Sequence, residues 1–214
     1  MKSKIHDTSA SELVKQYQKI NFKVMSKKIV LALFLFVNIS IFAQNPCEID
    51  TNFTDSLGTY KSTKQFIIFE RSFAGNSTNI FFSLANSNGV LSLETQLLKR
   101  SSGFIKADCF DTNSRIYLQL NNGKIVTLLY VGNDTCGTLI QNENSPNSRI
   151  MTGSFVFSKE NYEELKVSPV TFMRIKFAGE TIDYPFRSEF IAELDKKTYQ
   201  PESYFINYLK CVEN

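Results

Sequence analysis

Four cysteines, Cys47, Cys109, Cys136 and Cys211, carry the most reactive chemistry in this sequence, and no two of them are spaced Cys-x-x-Cys. That spacing argues against a zinc ribbon or a dithiol redox motif. An even number behind an export segment reads instead as two disulfides, for which three pairings exist. The next informative residue is one that is nearly missing. The only histidine is His6, and the chain has no tryptophan. Without an imidazole downstream of residue 43, Ser-His-Asp and Cys-His mechanisms lose the group that shuttles their proton. The usual zinc sites with histidine ligands are lost as well.

Carboxylates remain. Glu70, Glu94, Asp108 and Asp183 all fall on expected strands. A glycosidase would need two of them roughly 5–9 Å apart, which no spacing in the sequence fixes. Asp111-Thr112-Asn113 opens like a calcium loop but lacks the glycine and the closing glutamate, so it reads as a turn. Neither Ser62-Thr63-Lys64 nor the stretch 101–106 supplies a Ser-x-x-Lys dyad. Phe66/Phe69 and Phe81-Phe82 have the character of core, so a sugar-stacking surface would have to rest on tyrosine, for example Tyr117 or Tyr130. No catalytic residue, cofactor or metal site is assigned.

The elements that must position these groups read mostly as strands. Residues 104–110, 115–120 and 124–131 suggest three consecutive antiparallel strands, turning at 111–114 and at Asn122-Gly123, a two-residue hairpin signal. With that turn Leu120 faces Ile125, Leu118 faces Thr127 and Ile116 faces Leu129. First and third strands of such a meander finish at the same end, which pairs Cys109 with Cys136 and leaves Cys47 for Cys211. Further strands are expected at 64–73, 78–85, 90–95 and 149–157, separated by Gly/Asn/Ser clusters. On the last of these, Met151, Gly153, Phe155 and Phe157 share a face.

Ser158 is placed to cap a helix over 159–166, which must stop before Ser168-Pro169. A hairpin about Ala178-Gly179 joins 171–177 to 181–186, with Arg174 opposite Asp183 as a solvated ion pair. Two closing helices are expected. Ser188 would cap 189–196, burying Phe190, Ile191 and Leu194, and Pro201 would open a helix reaching Cys211. The fold class is therefore α+β and mainly antiparallel β, a sandwich or partial barrel with helices toward the C-terminus.

Residues 25–44 have the pattern of a signal peptide: Lys27-Lys28, an apolar run over 29–37, then Ala43 and Gln44 flanking the cut. The run is too short for a spanning helix of about 20 residues, so no stable membrane span is expected after processing. Met25 reads as the true initiator, with 1–24 an extension upstream of it and 44–214 a single exported domain, periplasmic or secreted. The cut also reverses the working charge. Residues 1–43 hold seven Lys/Arg against two Asp/Glu, leaving seventeen basic and nineteen acidic side chains, about −2, for the remainder. A domain of that charge offers no field for a phosphate backbone, which excludes nucleic acid as a partner.

The signal ending Ile41-Phe42-Ala43-Gln44 resembles those of exported proteins from Bacteroidota. Asn161-Tyr162-Glu163-Glu164-Leu165-Lys166-Val167-Ser168-Pro169-Val170, then Met173-Arg174-Ile175-Lys176-Phe177 and the closing Tyr208-Leu209-Lys210-Cys211, resemble the C-terminal part of small secreted proteins of that group. The likeness covers 161–211 and implies no activity, so no site residue follows from it. The function that fits these readings is a non-catalytic binding or interaction module of the periplasm or cell surface, with a protein or glycan as partner. A histidine-free hydrolase using paired carboxylates, or a secreted inhibitor, is the alternative.

Overall fold

A computed structural model describes Lys15 and residues 46–213 except 142 and 144. The described strands and both disulfides lie within residues 45–214. The expected signal peptide, with Ala43 and Gln44, lies outside the described residues. Among the described residues no helix is long and apolar enough to cross a membrane.

The described residues form thirteen strands: β1 (Ile49–Asp55), β2 (Gly58–Thr63), β3 (Phe66–Phe73), β4 (Asn76–Ser87), β5 (Val90–Ser101), β6 (Arg115–Leu120), β7 (Ile125–Val131), β8 (Thr138–Ile140), β9 (Asn147–Phe157), β10 (Val170–Lys176), β11 (Thr181–Pro185), β12 (Phe190–Ile191) and β13 (Thr198–Tyr199). Eleven form one antiparallel sheet, ordered β1-β2-β4-β5-β9-β7-β6-β10-β11, with β3 also on β4 and β8 also on β9. The sheet folds over on itself without closing. Phe69 of β3 meets Tyr184 of β11 edge-on at 5.1 Å, and one apolar core runs from Ile80 and Phe82 through Leu118 and Phe155 to Met173 and Ile175. The fold class is the expected one, α+β and mainly antiparallel β.

The helical run over 201–211 fills one end of this core. It opens on Pro201, whose fixed φ suits a first helical turn, and contains α1 (Tyr204–Tyr208). Tyr204, Phe205 and Leu209 are buried, and Phe205 packs against Phe82 and Phe157. Two disulfides staple the domain, Cys47 to Cys211 and Cys109 to Cys136.

Several local expectations are corrected. Residues 104–110 are not a strand: only Phe110 bridges, to Thr135, each of them next in sequence to one cysteine of the disulfide. The bridge thus forms beside a two-residue β-contact rather than at the ends of a meander. The β6–β7 turn spans three residues, 121–123, with Gly123 at φ 82° and Leu120 accepting from Gly123 and donating to Lys124. A type I turn followed by a left-handed glycine moves the register by one residue. A one-residue slip exchanges the faces of a strand, so Leu118 faces Val126 and Ile116 faces Leu128, while Thr127 and Leu129 turn outward.

The strand expected over 90–95 continues to Ser101. Over 159–166 only a 3-10 helix forms, Tyr162–Lys166. Ser158 extends the ladder by donating to Thr127, and Asn161 takes a left-handed conformation that sends its side-chain amide to Ile125 O at 3.0 Å. The helix expected over 189–196 is instead the β12–β13 hairpin. Phe190 stacks on Tyr199 at 6.0 Å, and Ala192 joins Ile67, Phe81 and Leu98 in a second, small core on the outer side of the sheet. Ile191 and Leu194, expected to be buried, are exposed.

Candidate functional site

Strand alternation decides which side chains leave the core. On β6 the buried residues are Ile116, Leu118 and Leu120, so Arg115, Tyr117 and Gln119 face outward. β10 likewise buries Met173 and Ile175 and turns Phe172, Arg174 and Lys176 outward. Register sets these into rows: Ile125, Gln119, Phe172 and Pro185 lie side by side, next to the row of Thr127, Tyr117, Arg174 and Asp183. Between them lies a depression of about 470 Å³ lined by Tyr117, Gln119, Ile125, Phe172, Arg174, Lys176 and Thr181. That volume falls within the range of small-ligand sites, roughly 300–1,000 Å³.

Two aromatic rings, one amide and two cations line this basin, and no carboxylate does. Arg174 is held by Asp183 through two parallel bonds, Nε to Oδ1 at 2.6 Å and Nη2 to Oδ2 at 2.8 Å. The guanidinium keeps the Asp183 carboxyl below the ordinary carboxylate range, and it lies 6.0 Å from the Phe172 ring. Lys176 has no ion-pair partner among the described residues. The basin can therefore stack a ring or sugar face and meet a negative group.

The carboxylates are dispersed elsewhere. Glu70 accepts from Asn79 Nδ2 at 2.7 Å and from the Glu193 amide at 2.5 Å. Glu94 accepts from Ser92 at 2.7 Å and from Ser154. Glu70 and Glu94 pair with Asn79 and Ser83 on β4, four residues apart, which separates them by about 13 Å at a strand's rise and is too far for glycoside chemistry. Asp108 is buried against Lys99 at the end of the core away from α1. Of the two tyrosines singled out for stacking, Tyr117 lines the basin, whereas Tyr130 is buried and donates to Asn133 O at 2.6 Å. Gln119 shares the outer face of β6 with Tyr117 by alternation, whereas Phe172 joins them only through the β6–β10 pairing, which no local pattern reveals.

A second hollow of about 240 Å³ lies beside α1, lined by Tyr199, Tyr204 and Tyr208 with Glu48, Lys64 and Lys197 among others. Burial pushes the phenols of Tyr184 and Tyr204 far above their ordinary value of 10.0, with nearby Asp108 and Glu180 adding to the shift at Tyr184. The folded state thus keeps protons that the unfolded chain gives up. This contribution is complete below pH 10 and is lost as pH rises toward the folded values. The melting temperature is expected to fall steadily above pH 10. Circular dichroism melts from pH 8 to pH 11 check this, and a flat profile would refute it. With no free cysteine among the described residues to start disulfide exchange, the effect is not confounded by reshuffling.

No protein-family model, curated protein sequence or solved structure matches the chain. The fold and basin define a disulfide-stapled antiparallel β protein with a ligand-sized depression on its outer face.

Proposed function

We propose that this chain is a non-catalytic binding module acting outside the cytoplasm, periplasmic or secreted, of the small Bacteroidota type its 161–211 segment resembles. Its outer-face basin takes a glycan bearing an acidic group. The observation that carries this reading is the lining itself: Tyr117 and Phe172 offer ring faces, Gln119 an amide, and Lys176 a cation with no ion-pair partner among the described residues. Aromatic faces suit the apolar side of a sugar, and an ammonium beside them selects a carboxylate or sulfate. Two disulfides support an oxidising compartment.

The test is titration calorimetry against uronate-containing and neutral oligosaccharides. Tyr117→Ala is expected to weaken binding about tenfold, near 1.4 kcal/mol, without changing the melting temperature. Lys176→Glu is expected to remove the preference for acidic over neutral sugars. Binding that ignores Tyr117→Ala, or no binding by any sugar, would sink the reading.

A further inference from the structure

At the end of the core away from α1, charged side chains meet where strand alternation calls for apolar ones. Lys99 follows Leu97 on the inner face of β5, and its register partner Arg149 precedes Met151 on the inner face of β9. The segment 102–110 crosses this end and places Asp108, with its side chain 2% exposed, against the Lys99 ammonium group. The Lys99 side chain is 23% exposed, and its Nζ touches Asp108 Oδ2 without making a hydrogen bond. Arg149 Nε is also buried without one. A void of about 10 Å³, room for one water, is lined by Leu97, Lys99, Asp108, Arg149 and Met151. Glu180 adjoins Asp108 and is held by Lys106 at 2.8 Å.

A buried carboxylate is costly unless it is well paired. An ammonium–carboxylate pair and an amine–carboxylic acid pair differ only in the position of one proton. A neutral amine lying alongside a carboxyl group is a nucleophile held at very high effective concentration. We propose that Lys99 and Asp108 condense after folding into an intramolecular isopeptide bond, with Glu180 carrying the proton and Arg149 holding the oxyanion.

The Lys99 Nζ lone pair forms the new bond to Asp108 Cγ, and negative charge develops on Oδ1, which Arg149 Nε stabilises. Glu180 accepts the proton from Nζ and returns it to Oδ2, whose bond to Cγ breaks. One water leaves, which the void accommodates, and no oxidant or reductant is required. The ion pair becomes one amide whose carbonyl oxygen can accept from Arg149.

Mass spectrometry of the full oxidised chain tests this. The folded protein is expected to be lighter than its sequence with two disulfides by one water, and a protease map is expected to give a branched peptide joining Lys99 to Asp108. Lys99→Arg should restore the full mass. Asp108→Asn should keep the crosslink while losing ammonia instead of water, which an ion pair cannot imitate. Glu180→Gln should slow the water loss by at least about a hundredfold. Recovery of Lys99 and Asp108 in separate, unmodified peptides from protein with both disulfides intact would overturn the proposal.

Discussion

Replacing Cys47 and Cys211 together by serine is expected to lower the unfolding free energy by about 5 kcal/mol. The bridge closes a sequence separation of 164 residues, and the chain entropy it removes from the unfolded state grows with the logarithm of that number. Native-state packing adds to the loss. The bridge anchors the helical run that buries Tyr204 and Phe205, and Val212 O accepts from Asn86 Nδ2 at 2.6 Å just beyond it. Since a domain's whole stability is about 5–15 kcal/mol, the double serine variant should be substantially unfolded at 37 °C. Removing Cys109–Cys136, with a separation of 27, should cost less, about 3.5 kcal/mol. Urea titrations of the two variants measure both numbers. If the Cys47/Cys211 variant kept the parent's midpoint, the packing of α1 alone would suffice to hold the C-terminus.

The second large effect is at Phe110, fully buried where segment 102–110 enters the core. Its ring stacks on Phe177 at 5.4 Å, meets Phe155 edge-on at 5.2 Å and leans on Tyr130 at 5.3 Å. Phe110→Ala is expected to cost about 4 kcal/mol, from lost transfer energy and the cavity left among three rigid rings. The ring lies directly over Gly153, where a Cβ would come within 2.7 Å of Cε2 and 2.8 Å of Cδ2. Gly153→Ala should therefore cost about 1–3 kcal/mol through overpacking. A smaller side chain at 110 relieves that clash, so Phe110→Leu with Gly153→Ala should cost less than the two single changes added together. Strict additivity in denaturant titrations would show that the two positions do not press on each other.

Alternation and turn residues carried much of the architecture. Met173, Ile175, Ile182 and Tyr184 face inward about Ala178-Gly179 as their spacing requires, because a tight turn leaves the register no freedom. The same reasoning slipped by one residue at Asn122-Gly123. There the dipeptide signal of a two-residue turn serves a three-residue one, and Pro169 O accepting from the Asn121 amide helps choose between them. Phe190 and Leu194 have helical spacing, yet Ile67, Phe81 and Leu98 leave an apolar patch on the outer sheet face that Phe190, Ala192 and Tyr199 cover. That demand comes from strands over 90 residues away and outweighs a local period. Of the basin, Tyr117 and the Arg174–Asp183 pair were legible. That β10, with Phe172 and Lys176, lies beside β6, with Tyr117 and Gln119, is set by the long-range β6–β10 pairing.

The Cys47–Cys211 bridge also decides how the domain would bear a mechanical load. Its two Cα atoms lie 5.5 Å apart, so tension applied through residues on either side runs across one covalent link and bypasses the sheet. Every strand is shielded from the pull while the bridge is oxidised. Reduction would place the intervening chain in series with the force and release roughly 550 Å of hidden length. The bridge makes the domain an inextensible link whose slack is governed by thiol chemistry.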